Sequence, residues 1–208
     1  NTTGYNNTAN GWYALKANTT GYNNTSNGFG ALYSNTTGIK NTASGMYTLR
    51  NNTTGSYNTA SGNNSLRANT SGIFNTAYGY TTLYNNTTGA NNTASGYSAL
   101  NANTTGRWNT ASGYRALFSN TTSDNNTAYG NDALRLNTTG AKNIGLGQGA
   151  GDAITTGSNN TIIGDYAGTT TLADTVVIAA GTTERLKIDA SGMQVNGTAL
   201  TGITSGQA

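Results

Sequence analysis

The 208 residues contain no proline, cysteine or histidine, and only 8% of them are charged. Each shortage removes a class of chemistry. Without cysteine there is no disulfide and no thiolate metal site. Without histidine or cysteine the usual nucleophile and base pairs are missing. The acids are few and scattered: Asp124, Asp132, Asp152, Asp165, Asp174, Glu184 and Asp189. They read as solvated loop acids rather than as a paired catalytic set. No enzymatic activity, metal or other cofactor is therefore expected. The net charge is +3, from ten Lys and Arg against seven Asp and Glu. No basic run is dense enough for nucleic acid. No apolar run approaches the ~20 residues of a membrane span, so no membrane insertion is expected.

What is abundant is Asn, Thr and Gly, with 29 glycines, and they are ordered. A 17-residue unit, Asn-Thr-Thr-Gly-x-x-Asn-Thr-Ala-x-Gly-x-x-Ala-Leu-x-x, starts at Asn1 and recurs without insertion to Thr170, giving ten copies. A short exact period signals a solenoid or fibrous array, in which each repeat buries its surface against its neighbours. Numbering positions 1 to 17 from Asn1, position 7 is always Asn and position 11 always Gly. Position 4 is Gly except at Ser123, and position 15 is Leu in eight copies before becoming Gly151 and Gly168.

These rules predict an all-β, elongated parallel β-solenoid, β-roll-like, over residues 1–170. Recurrent Gly marks positive φ or close chain approach, so positions 4 and 11 are expected as two corners of a coil. Segments between them, such as Asn41–Ser44 and Thr48–Thr54, read as short strands. A helix is excluded by a Gly every six or seven residues, at about 1 kcal/mol each relative to Ala. Asn at a fixed position can stack on its counterpart ~4.8 Å away. The expected ladder is Asn7, Asn24, Asn41, Asn58, Asn75, Asn92, Asn109, Asn126, Asn143 and Asn160.

Energetics point to self-association. One buried Leu contributes roughly 1.5–3 kcal/mol, whereas ordering each residue's backbone costs about 1–2 kcal/mol. The Leu row, Leu15, Leu32, Leu49, Leu66, Leu83, Leu100, Leu117 and Leu134, is accordingly expected to form a seam between chains of a homo-oligomer. Residues 171–197 leave the period. Glu184–Asp189 alternates with period two and Met193–Val195 can pair back across Ser191-Gly192, so this segment reads as a short β closing module. Residues 198–208 read as a linker or tail.

Two segments carry a resemblance. Asn143-Ile144-Gly145-Leu146-Gly147-Gln148-Gly149-Ala150-Gly151-Asp152, with Thr155-Thr156-Gly157-Ser158-Asn159-Asn160-Thr161-Ile162-Ile163-Gly164, resembles the repeats of phage tail fibres and related bacterial surface fibres. Glu184-Arg185-Leu186-Lys187-Ile188-Asp189-Ala190-Ser191-Gly192 resembles the segment before the intramolecular chaperone of many such fibres. The Asn-Thr-Ala-x-Gly-x-x-Ala pattern is similar to the head repeats of trimeric autotransporter adhesins. The resemblance implies a homotrimer, an extracellular place on a virion tail fibre or a cell surface, and a structural role that presents a host-recognition element.

Aromatic and basic residues gather at the variable positions 5, 6, 12, 13 and 16. Rings stack on pyranose faces, so Trp12, Tyr13, Tyr47, Tyr80, Arg107, Trp108, Tyr114 and Arg115 are candidate contacts to cell-surface glycans. The same residues also suit corner filling and seams between chains. Asn-x-Thr acceptors such as Asn18 and Asn35 arise automatically from the repeat. The functional expectation is a fibre shaft with an adhesive role. The alternatives are a self-assembling extracellular filament or bacterial surface adhesin and, further off, a polysaccharide-processing spike.

Overall fold

Positions 8 to 10 form a strand in every copy, from β1 (Thr8–Asn10) to β10 (Thr161–Ile163). The computed structural model describes residues 1–196 and 198–199. It is a parallel β-solenoid of about ten coils, with no helix among the described residues. Each strand pairs in parallel with its counterpart 17 residues on, Thr25 on Thr42 and Ala43 on Ala60. All 14 strands form one sheet in chain order. Alternation within each three-residue strand turns Ala at position 9 inward and Thr at position 8 outward; Ala77 is fully buried. At ~4.8 Å per strand, ten coils make a rod about 45–50 Å long.

The segment expected as a second strand, Thr48–Thr54, is a turn. Its ladder survives by a different device. Positions 6, 13 and 15 are left-handed in copy after copy, as at Lys40 (φ 53°), Tyr47 (φ 57°) and Leu49 (φ 50°). Left-handed backbone costs roughly 1–2 kcal/mol at a residue with a Cβ. It also swings that residue's N–H along the solenoid axis. Lys40 N donates to Tyr22 O at 3.1 Å, Tyr47 N to Phe29 O at 2.9 Å and Leu49 N to Ser65 O at 3.0 Å. Strain in the turn is thus offset by hydrogen bonds to the coils on either side, and the backbone remains paired outside the strands.

The two recurrent glycines serve different needs. Position 11 has positive φ, +128° at Gly45, and a Cβ there would lie 2.6 Å from Gly62 O. Position 4 does not have positive φ. It is close-packed: a Cβ on Gly89 would lie 2.6 Å from Gly106 O and 2.8 Å from Asn103 Nδ2. Ser123, the one departure, directs its hydroxyl into the asparagine network, donating to Asn120 Oδ1 and accepting from Asn126 Nδ2 at 3.0 Å.

The core is a column of Leu and Ala beside two columns of Asn. From Leu32 to Leu134 the position-15 leucines have 0% exposure within the single chain. This corrects the expectation of an inter-chain seam at Leu15, Leu32, Leu49, Leu66, Leu83, Leu100, Leu117 and Leu134. The left-handed turn points that row into its own coil, so it has no surface left for a partner. Where Leu is lost, volume is returned from elsewhere in the coil. Ile154 replaces the position-1 Asn, Ile162 replaces the position-9 Ala, and both are fully buried. A Cβ on Gly151 would lie 2.7 Å from Leu134 Cδ2 and 3.2 Å from Ile154 Cδ1.

After the tenth coil the sheet continues and then reverses. β11 (Val176–Ala180) pairs in parallel with β10, Ile162 on Val177. β12 (Thr183–Asp189), β13 (Gly192–Val195) and β14 (Thr198–Ala199) then add as antiparallel neighbours. Strand pairing therefore runs past residue 197. The rest of the expected tail lies outside the described residues.

Candidate functional site

The asparagine columns show how the rod holds its side chains. At position 7, Asn58 N donates to Asn41 Oδ1 at 3.0 Å and Asn58 Nδ2 donates to Gly72 O at 2.8 Å. The same pattern runs from Asn7 and Asn24 through Asn75, Asn92, Asn109, Asn126 and Asn143 to Asn160. A second column, which sequence reasoning missed, stands at position 1. Asn52 Nδ2 donates to Asn35 Oδ1 at 2.8 Å and to Gly55 O at 2.9 Å. Both columns therefore converge on the position-4 carbonyls. The amide nitrogens of Asn18 and Asn35 are buried in this network, which hides the Asn-x-Thr acceptors of position 1.

The outward rows inherit that register. At positions 12, 13 and 16 the rings form two groups, Trp12 to Tyr47 and Tyr80 to Phe118, separated by Asn63, Asn64 and Arg67 of the fourth coil. Tyr80, Tyr97 and Tyr114 stack at 5.3 Å centroid spacing, with planes 16° and 15° apart. Arg115 lies over Phe118 at 4.9 Å and over Tyr114 at 6.0 Å. Nearer the start, Trp12 meets Tyr13 edge-on at 5.5 Å. Positions 5 and 6 carry a separate row, before the strand. Tyr5 stacks on Tyr22, and Tyr57 on Phe74, each at 4.8 Å. Arg107 and Trp108 belong to this second row, with Trp108 half exposed. The eight candidate glycan contacts are thus divided between two rows.

One cavity of about 200 Å³ opens on the first row. Tyr13, Phe29, Tyr33 and Tyr47 supply its rings, with Lys16 and Arg50 beside them. Of these, Tyr13 and Tyr47 are among the eight candidate glycan contacts read from the sequence. Lys16 Nζ stands 4.6 Å from the Tyr13 centroid and 3.4 Å from the Tyr33 hydroxyl. Arg50 Cζ stands 5.2 Å from the Tyr33 ring and 5.3 Å from the Tyr47 ring. Arg67, one coil further on, lies 5.4 Å from the Tyr47 ring and 5.7 Å from the Tyr84 ring. The signal was present in the period: position 16 reads Lys16, Tyr33, Arg50, Arg67, Tyr84, which mixes cations and rings in one row once the copies are stacked. Such contacts are worth about 0.5–1 kcal/mol each at exposed sites.

A third outward surface is apolar. At the far end of the sheet Leu146 pairs with Ile163, Ile163 with Ile178, and Ile178 with Leu186. Alongside, Val176 pairs with Ile188 and Ile188 with Met193. Leu146, Ile163, Ile178, Ile188 and Met193 are each 37–45% exposed. In earlier coils the same outward positions hold Thr, Ser and Asn, except for Tyr78 and Tyr129.

Charged groups pair only locally. Arg135 bridges Asp132 at 3.5 Å and Asp152 at 3.6 Å, and Arg115 reaches Asp132 at 3.9 Å. Lys187 holds Asp189 at 2.9 Å. That hydrogen bond, with the Ser191 N–H, keeps the Asp189 carboxyl below its ordinary range and raises Lys187. No protein-family model, curated protein or solved structure matches the chain.

Proposed function

We propose that the chain is the shaft of an elongated extracellular fibre, on a virion or a cell surface, whose side makes weak contacts with cell-surface glycans. The observation that carries this reading is the register. Coils locked by two buried asparagine columns hold aromatic side chains along one side, with Tyr80, Tyr97 and Tyr114 at a fixed spacing of 5.3 Å. Rings offered this way suit the apolar faces of successive sugars, and many weak contacts on one rigid body give avidity. The test is glycan-array binding by the protein with Tyr80, Tyr97 and Tyr114 all changed to Ala. Loss of binding at unchanged thermal stability supports adhesion. Undiminished binding sinks it.

A second reading is favoured by the apolar end. A contiguous exposed apolar surface of this kind marks an interaction site, and the Leu row is not available for that purpose. We place the seam of a homotrimer on the face of Ile163, Ile178 and Ile188. Light scattering of the native chain against Ile163→Lys/Ile178→Lys tests it. A discrete oligomer that falls to monomer in the variant is the expected result. A native monomer overturns the reading, and filaments of indefinite length favour an end-to-end assembly instead.

A further inference from the structure

We infer that the notch between Tyr13 and Tyr47 binds the acidic unit of a saccharide, a pyranose bearing a carboxylate or a sulfate. The inference rests on the glycan-contact reading of this side of the rod and narrows it to a ligand class.

The shape comes from one missing side chain. Position 13 reads Tyr13, Gly30, Tyr47 in the first three copies. Gly30 is left-handed like its counterparts (φ +63°), and the Tyr47 ring leans into the space of its missing side chain, where a Cβ would lie 2.9 Å from Tyr47 Cδ1. The resulting cavity of about 200 Å³ suits one ring rather than an extended chain. Tyr13, Phe29 and Tyr47 offer apolar walls, and the Tyr33 hydroxyl offers a polar handle.

The charge comes from an asymmetry in the whole chain. Residues 1–123 hold six cations and no acid; the first acid is Asp124. Further along the same rows, Arg115 and Arg135 are neutralised by Asp132 and Asp152. Around the notch no carboxylate exists to do this. Arg50 and Arg67 occupy the same position in adjacent coils, like charges sharing the ring of Tyr47. The Arg50 Nε atom is buried without a hydrogen-bond partner. An unpartnered donor on a cation is costly, and it leaves the guanidinium short of a counter-charge. The planar guanidinium, fixed between the Tyr33 and Tyr47 rings, is suited to bidentate contact with a carboxylate or sulfate. Lys16 supplies a second cation from the opposite wall.

The test is calorimetric titration of the full chain with three probes: methyl glucuronide, glucose 6-sulfate and methyl glucoside. Repeats use Arg50→Gln, Gly30→Asn and, as a charge-matched control outside the notch, Lys142→Gln. Asn tolerates left-handed backbone and presses its side chain against the Tyr47 ring, which changes the wall of the notch. The expected result is binding of an acidic probe about tenfold tighter than the neutral one, weakening with salt. Arg50→Gln and Gly30→Asn should each abolish that preference, while Lys142→Gln keeps it. Preference for the glucuronide or for the sulfate identifies which anion the notch takes. Equal binding of neutral and acidic probes overturns the inference and leaves the adhesive reading standing. Acid preference that survives both notch variants also overturns it. Absence of saccharide binding both here and on the glycan array overturns inference and reading together.

Discussion

Asn75→Ala, in the middle of the rod, isolates what an interior asparagine contributes. Asn75 is fully buried. Its Nδ2 donates to Gly89 O at 2.9 Å and to Asn58 Oδ1 at 3.1 Å. Its Oδ1 accepts from Asn92 N at 3.1 Å and from Asn92 Nδ2 at 3.2 Å. Truncation does not orphan all of these partners. Gly89 O still accepts from Asn86 Nδ2, Asn58 Oδ1 still accepts from Asn75 N, and Asn92 Nδ2 still reaches Gly106 O. The Asn92 N–H alone loses its acceptor, at about 1–3 kcal/mol, and each remaining lost bond adds roughly 0.5–1.5 kcal/mol net. With partial relaxation the expected loss is about 3–5 kcal/mol, comparable to truncating a core leucine. The assay is urea unfolding followed by both circular dichroism and tyrosine fluorescence. Coincident transitions are required, because repeat arrays can unfold in sections. Thr93→Ala, exposed in the next coil, should stay within about 0.5 kcal/mol of the native chain. A loss below ~1 kcal/mol for Asn75→Ala would refute the claim that the columns are structural.

Leu83→Ala should cost about 2–5 kcal/mol by urea unfolding while leaving the particle mass unchanged by light scattering; a change of mass would return the Leu row to an interface. Gly89→Ala places a methyl against Gly106 O and the Asn103 amide, so a loss of about 1–3 kcal/mol is expected, and an unchanged midpoint would contradict the coil spacing. The Asp189 carboxyl accepts from Lys187 and from the Ser191 N–H at 2.8 Å. Because its folded pKa is lowered, its stabilisation is present above the ordinary aspartate range and is lost only as pH falls through the lower folded value. The Ser191 amide shift should titrate below that ordinary range and become flat in Asp189→Asn; a midpoint at or above it would refute the contact.

Much of the coil was legible because the period is exact. Asn at position 7 and Thr-Ala at positions 8 and 9 have one spacing that satisfies every copy at once, which is parallel stacking in register. The Leu row was legible as apolar but not as interior. A single apolar position per turn looks the same in sequence whether it faces its own coil or a neighbour. What settles it is the left-handed backbone at position 15, φ of 48 to 51° across all eight copies. Leu is a poor marker for that conformation, so propensity gave no warning. The second asparagine column was hidden for a related reason: position 1 reads as a turn residue, and only the shared position-4 carbonyl makes it a ladder. The notch was invisible one copy at a time. Gly30 is an unremarkable glycine until Tyr13 and Tyr47 are placed on either side of it.

By itself, then, the sequence determined the repeat, the stacking register, the strand at positions 8 to 10 and the poverty of catalytic groups. These follow from local chemistry repeated at fixed spacing. Tertiary structure alone decided which side of each coil is inside, how the two glycines differ, and which rings and cations share a surface. The reason is physical. Inside and outside are set by the sign of a few backbone dihedrals, and neighbours on the surface are 17 residues apart in the chain but one hydrogen bond apart in space.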